Sequence, residues 1–294
     1  MAQSPATLAA YSSYEFMRVT SPAPHVAHVE INRAPKLNAF SQAVWLEFGR
    51  VFRQISLDAD LRAVVLSGAG DRAFTAGLDL GAASASLGGG GGGGGGDGGE
   101  VLDPARKAKA LRAHIEEFQG CISEMERCEK PVICVLHGIS LGLAIDISCC
   151  ADIRIAASNA RMAVKEVDIG LAADIGTLAR LPKIVGSTSW VKDVCLTARD
   201  FSAHEALQAG FVSHVLQDKA GAVQKAVEIA VLLAEKSPVA VQGTKELLNY
   251  GRENSTAATL RYTSVWNSVA LQTADVPAAL QGTMAKKRPS FAKL

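Results

Sequence analysis

Four of the five acidic residues between positions 146 and 174 fall in two short, largely apolar stretches. Asp146 lies in GLAIDISCC, and Glu166, Asp168 and Asp174 share KEVDIGLAAD. A carboxylate taken out of water costs free energy unless it is paired, hydrogen-bonded or kept neutral, so such acids are caps, ion pairs or working groups. Asp168, just before Gly170, fits a turn or a cap. Asp146, Glu166 and Asp174 taken together fit a site. No histidine or metal-ligand spacing accompanies them, so proton transfer is the chemistry they suit. Removing a proton beside a carbonyl also needs donors for the developing enolate oxygen. Backbone N–H groups in tight glycine turns supply these. Two such turns occur, FTAGLDL (74–80) and HGISLGLA (137–144), and each follows a strand-like run.

A second chemistry has to be weighed against this one. GISLG, from Gly138 to Gly142, matches the G-x-S-x-G pattern of a nucleophile elbow, with Ser140 as the nucleophile. His204 or His214 would have to complete the triad. His204 lies in the helical stretch SAHEALQAG and His214 in the strand-like FVSHVL, and no HGGG-type oxyanion loop precedes them. The pattern reads more simply as a small residue in a turn.

The elements that must position these groups are visible as hydrophobic periods. VAHVEI (26–31) alternates as a strand, and NRAPKLNAF follows as a loop. Ser41 fits the cap of a helix with Val44, Phe48, Phe52 and Ile55 on one face. AVVLSG (63–68) reads as a buried strand. Asp103-Pro104 opens a long amphipathic helix carrying Leu111, Ile115, Phe118, Ile122 and Met125. KPVICVLHG (130–138) and DIRIAA (152–157) are strands, with a short helix between them. TLARLPKIVG is helical up to Pro182, and four helices follow, over 203–209, 220–235, 238–249 and 255–272. Strands alternate with helices early and helices dominate late, so the fold class is α/β with a helical C-terminal region. The expected division is a core over 1–200 and a helical region over 201–294. Nine consecutive glycines within 88–99 make a flexible surface loop, because glycine loses the most backbone entropy on ordering. They lack the Gly-Lys-Ser/Thr ending of a phosphate loop.

Bulk properties narrow the classes. The 294 residues are 48% hydrophobic and 20% charged, with a net charge of +1. No basic block points to nucleic acid, and no apolar run is long enough to span a membrane. Six cysteines without a C-x-x-C pair read as reduced core residues. No Lys or Arg precedes Arg18, which argues against a secretory signal or a mitochondrial presequence. Ala292-Lys293-Leu294 is similar to the Ser-Lys-Leu peroxisomal address, so import through a peroxisomal receptor is expected.

The segments NRAPKLNAF, AVVLSGAGDRAFTAGLDL, KPVICVLHGISLGLAIDISCCADIRIA and FSAHEALQAGFVSHVL resemble the crotonase (enoyl-CoA hydratase/isomerase) superfamily. The resemblance spans roughly 14–275, and VKEVDIGLAADIGTLARLPKIVG is most like the Δ3,5-Δ2,4-dienoyl-CoA isomerase subgroup. Hydratases place glutamates where Asp146 and Glu166 stand and a small residue where Asp174 stands. Asp174 therefore separates isomerisation from hydration. The resemblance implies a spiral of ββα units with a helical C-terminal trimerisation region, assembled as a homotrimer or homohexamer. It implies an acyl-CoA thioester as substrate, with no separate cofactor and no metal. The backbone N–H groups of Leu78 and Leu143 would hold the thioester oxygen, and Ala76, Gly77, Leu78, Asp79, Leu80, Gly142 and Leu143 would line the substrate. Asp174 would act as base at C2 and Glu166 as acid at C6, or the reverse, with Asp146 tuning both. The product would be a 2,4-dienoyl-CoA formed during β-oxidation of unsaturated fatty acids.

Two departures stand beside the acyl pocket: Gly142-Leu143-Ala144 replaces three glycines, bringing leucine bulk near the thioester, and the polyglycine loop replaces a structured segment. The remaining readings are an enoyl-CoA hydratase, a Δ3-Δ2-enoyl-CoA isomerase, the Ser140 hydrolase and a non-catalytic assembly partner.

Overall fold

A computed structural model describes residues 8–79, 81 and 103–294. Leu80 and the polyglycine tract lie outside the described residues.

Two sheets carry the site. The larger has six strands: β1 (Met17–Ala23), β2 (Val26–Ile31), β3 (Ala63–Gly68), β5 (Val132–Leu136), β7 (Ile153–Ala157) and β10 (His214–Leu216), in the order β1-β2-β3-β5-β7-β10. Every pairing from β2 to β10 is parallel. The smaller sheet has β4 (Ala73–Thr75), β6 (Ile139–Leu141), β8 (Arg161–Ala163) and β9 (Phe201–Ser202). The two sheets are filled in turn. β3, β5 and β7 are each followed within a few residues by β4, β6 and β8, and then by helix. Those helices are α2 (Pro104–Arg127) after β4, α3 (Leu143–Cys149) after β6, and a 3-10 turn (Glu166–Ile169) with α4 (Thr177–Ile184) and α5 (Thr188–Thr197) after β8. This is a spiral of ββα units.

Both faces of the larger sheet are covered, which explains why its inner strands β2, β3 and β5 are buried throughout. On one face Val29, Ile31, Val64, Leu66, Val132, Cys134 and Leu136 join the main core with α1 (Gln42–Leu57). Val44, Phe48, Phe52 and Ile55 of α1 are fully buried, each worth about 2 kcal/mol of transfer free energy. Trp45 stacks on Phe118 of α2 at 3.9 Å between ring centroids. The other face carries Val26, Ala63, Val65, Ile133, Val135 and Ile155 against α7 (Lys219–Ala234). Ala222, Ala226, Ala230 and Ala234 recur every fourth residue, so α7 presents a smooth stripe that approaches the sheet closely. The chain beyond 201 therefore supplies β10 and α7 to the sheet core, besides α6 (Ala203–Gln208), α8 (Pro238–Glu253), α9 (Thr256–Ala270) and α10 (Asp275–Met284).

Several local expectations change. VAHVEI is buried on both faces rather than half exposed: His28 bonds Ser67 at 2.8 Å, and Glu30 takes Arg18. Ser41 occupies the cap position of α1 without a side-chain cap bond, whereas Asp103 accepts from the Arg106 N–H at 3.0 Å. Helix α4 runs through Pro182 to Ile184. The proline removes only the bond to the carbonyl of Leu178, a residue exposed enough for water to take it. The three residues of β6 and the helix α10 were not legible as separate elements. All six cysteines are free thiols. No helix among the described residues is long and apolar enough to cross a membrane.

Candidate active site

The first glycine turn is tied down by a buried asparagine. Asn38 has a left-handed backbone (φ 57°) and its amide donates to the carbonyls of Ala69 at 3.0 Å and Ala73 at 2.9 Å. Its side-chain oxygen accepts from the Arg33 N–H at 2.9 Å. Thr75 closes the knot, donating to the Asn38 carbonyl at 2.8 Å and accepting from the Gly77 N–H at 3.1 Å. Beyond it, the Gly77 carbonyl and the Asp79 N–H both bond Phe40, at 2.9 and 2.8 Å. Successive peptide groups in extended chain point to opposite sides, so the intervening Leu78 N–H points away from Phe40. Asp79 itself pairs with Arg33 at 2.8 Å, and Ala76 donates to the Leu37 carbonyl at 2.9 Å.

The second turn joins β6 to α3. Gly142 sits at φ 54°, ψ −113°, a conformation that a side chain opposes. Leu143 opens α3, so its N–H has no intrahelical acceptor. Among the described residues, neither the Leu78 nor the Leu143 N–H meets a protein acceptor. The two turns touch: a Cβ built on Gly77 would lie 3.6 Å from the Leu143 nitrogen and 2.9 Å from the Leu141 oxygen. Two free backbone donors are thus brought together from segments far apart in sequence. The Leu143 side chain is buried in the main core.

The three carboxylates lie at graded depth, with Glu166 against the Gly142 turn. Asp146 is one turn into α3 and 1% exposed. Its Oδ1 accepts from both the N–H and the hydroxyl of Thr177, at 2.7 Å each. Burial pushes its pKa up to about 6, and the charge of Asp174 adds to this. The Thr177 bonds and the Arg180 charge oppose it. Glu166 begins the 3-10 turn after β8. Its Oε1 lies 3.3 Å from where a Gly142 Cβ would be, and its Oε2 is buried without a partner among the described residues. Burial, then the charges of Asp146 and Asp174, push Glu166 up to about 7. Asp174 is exposed and lines a cavity of about 460 Å³ with Gln119, Ser123 and Arg180. A larger cavity of about 600 Å³, lined by α8 and α9 and the end of α2, holds none of the three acids.

The residues predicted from sequence therefore fall into groups. Asp146, Glu166 and Asp174 sense one another, and Leu78 and Leu143 meet through Gly77. Asp168 takes the turn role, paired with Lys165 at 3.3 Å. Leu80 lies outside the described residues. Ser140 is not a nucleophile: it is fully buried in β6, and its hydroxyl donates to the His137 carbonyl at 3.2 Å. His204 and His214 lie in α6 and β10, as their sequence patterns indicate. Sequence reasoning missed Asn38 and Thr177. A buried asparagine in a loop and a threonine after a glycine are ordinary until their partners are known.

The comparisons with known proteins agree with this geometry. Residues 26–228 match the family model for enoyl-CoA hydratase/isomerase. The chain is 44% identical over 285 residues to the Δ3,5-Δ2,4-dienoyl-CoA isomerase, mitochondrial, of Homo sapiens, covering 96% of this chain and 84% of that one. It is 36% identical to the Δ3,5-Δ2,4-dienoyl-CoA isomerase, peroxisomal, of Arabidopsis thaliana, covering 98% of this chain and 100% of that one. The crystal structure of an enoyl-CoA hydratase from Bacillus anthracis superposes with a TM-score of 0.82 at 28% identity, over 95% of this chain and 99% of that one. With paired backbone donors, a cluster of carboxylates and a ββα spiral, this chain belongs to the enoyl-CoA hydratase/isomerase family.

Proposed function

We propose that the chain converts a 3,5-dienoyl-CoA into the 2,4-dienoyl-CoA. The observation that carries this reading is the third acid. Asp174 joins Asp146 and Glu166 in one electrostatic cluster, and relatives at 44% and 36% identity are named for this reaction. The thioester oxygen sits between the Leu78 and Leu143 N–H groups, which take up the charge as the C2–H bond breaks. Asp174 removes the C2 proton. The electron pair delocalises through the two double bonds, and Glu166 delivers a proton to C6. One proton leaves and one arrives, the double bonds move from 3,5 to 2,4, and no oxidation occurs. The step calls for no cofactor beyond the CoA that carries the acyl group. Glu166 suits the acid role because a pKa pushed up to about 7 keeps a proton available at neutral pH.

The test is ultraviolet absorbance with a 3,5-dienoyl-CoA, beside Asp174→Asn and a 2-enoyl-CoA control. Growth of the conjugated thioester band, lost in the variant, supports the reading. Hydration of the 2-enoyl-CoA instead makes the enzyme a hydratase.

Assembly as a homotrimer or homohexamer is part of this proposal. Leu248, Leu260, Val265, Val269 and Leu280 are exposed on α8, α9 and α10, and light scattering on the purified protein decides the state. Peroxisomal delivery is proposed on Ala292-Lys293-Leu294. The Arabidopsis thaliana relative is named peroxisomal and the Homo sapiens one mitochondrial, so imaging of the tagged chain with and without the tripeptide separates the two.

A further inference from the structure

We propose that Thr177 is a positioning residue of the site, fixing Asp146 through two hydrogen bonds to one oxygen and so governing the proton held by Glu166. The proposal rests on the isomerase reading for its kinetic consequence and on geometry for the rest.

Thr177 is fully buried and lies 31 positions beyond Asp146, yet its N–H and its hydroxyl converge on the same Oδ1 at 2.7 Å. A backbone donor alone would satisfy that oxygen. A second donor fixes the plane of the carboxylate and stabilises its charged form. The segment carrying Thr177 is itself clamped. Arg180, one turn on, donates to Glu126 at 2.8 and 3.0 Å and to the Ser123 hydroxyl at 2.9 Å. Glu126 also accepts from Arg252 of α8 at 2.7 Å. The guanidinium of Arg180 lies against Gly176, where any Cβ would collide with it. The Gln119 amide holds the Asp174 carbonyl. The start of α4 is thus held by α2 and α8, and Thr177 transmits that placement to Asp146.

The charged and titratable groups facing the pair come from every neighbouring element. Asp174 precedes α4 and Arg180 lies on it. Cys149 is on α3 and Cys150 follows it, its thiol donating to the Asp146 carbonyl at 3.5 Å, and Cys195 is on α5. Among the described residues, Thr177 alone donates to the Asp146 side chain. The Asp146 charge is in turn the second cause, after burial, that raises Glu166. Weakening the bonds to Asp146 therefore moves the two acids in opposite directions. Asp146 holds its proton to higher pH, its charge fades, and Glu166 gives up its proton at lower pH. Because the acids are coupled, both movements are read as apparent values.

The experiment titrates side-chain carboxyl carbons by NMR in wild type, Thr177→Val and Thr177→Ser, with Asp146→Asn and Glu166→Gln assigning the signals. Thr177→Val keeps the size and the backbone donor and removes only the hydroxyl. The expected result is an upward movement of Asp146 by about 1 pH unit with a downward movement of Glu166. Thr177→Ser should restore both. In turnover, the alkaline limb of kcat moves to lower pH in Thr177→Val while KM stays within about twofold. Unmoved titrations in Thr177→Val, or two acids moving in the same direction, overturn the proposal. A serine variant that behaves like the valine variant overturns it as well, since packing rather than the hydroxyl would then be responsible. If wild type does not turn over dienoyl-CoA, the isomerase reading falls while the titrations still decide the role of Thr177.

Discussion

The two halves of the site are built by different means. The half that would hold the thioester is made of backbone. Leu78 and Leu143 contribute peptide N–H groups; the turn carrying Leu78 is locked by Asn38, Thr75 and the Phe40 bridge, and the turn carrying Leu143 is tied to β8 by the Gly142 N–H on the Ala163 carbonyl. The half that would move protons is made of side chains at graded depth, from fully buried Asp146 through half-buried Glu166 to exposed Asp174. Preorganised donors work best when they cannot relax, so they belong in the core. Acids need distinct proton affinities, and depth is the simplest way to separate them. The difference teaches that the site takes rigidity from the sheets and its tuning from the loop that follows them.

Substitutions that strike one half only should sharpen this contrast. The largest effect is expected in the proton-moving half. Glu166→Gln removes the raised acid while keeping its shape, and kcat for dienoyl-CoA should fall about 10²- to 10⁴-fold with KM little changed, as read by steady-state kinetics. In the thioester-holding half, Gly142→Ala must adopt φ 54° and press on Glu166. Turnover should drop about 10²-fold, and unfolding should become easier by about 1–3 kcal/mol in a denaturant titration. A Gly142→Ala enzyme with full activity would break the division, because the turn would then not be fixed by its backbone.

A smaller effect separates stability from catalysis. The pKa of Asp146 is raised in the folded chain from 3.8 to about 6, so the native state holds that proton where the unfolded chain has lost it. Stability from this group is therefore present at low pH and is lost as pH rises through about 4 to 6. Asp146→Asn does not titrate. Its stability relative to wild type should rise across that window by up to about 3 kcal/mol and level off only above about 7, where Glu166, whose proton the Asp146 charge helps to hold, has also ionised, as measured by melting at several pH values. The smallest effect belongs to neither half. Ser140→Ala should leave turnover within about twofold, and a fluorophosphonate should not label Ser140, since its hydroxyl is buried in β6.

What could be read in advance follows the same division. Elements with a strong hydrophobic period, such as β3, α1 and the C-terminal half of α2, were legible because burial on one or two faces writes itself into residue type. The spiral itself entered only through the resemblance, since no period in VICVL or ISL tells which sheet a strand joins. The acids were legible as a group because carboxylates in apolar stretches are expensive. Their ranking was not, because depth depends on what packs over them: Asp174 is as apolar in sequence context as Asp146 and yet faces solvent. Thr177 and Asn38 were silent for a related reason. Each does its work through a partner more than 30 positions away. At position 143 residue type says little about the donor, because a residue can offer its peptide to one side while its side chain packs in the core.

That last property reaches beyond this molecule. A donor that belongs to the main chain survives replacement of its own side chain, except by proline. Single-nucleotide changes at 78 or 143 other than those to proline therefore leave the N–H in place, whereas one such change at 166 or 174 removes a group to which the proposed reaction assigns a proton. On that proposal, a gene carrying this scaffold can lose or exchange its proton chemistry in one step and still keep the grip on its thioester. The outcome is a lineage able to alter which bond is rearranged much more readily than which functional group is held.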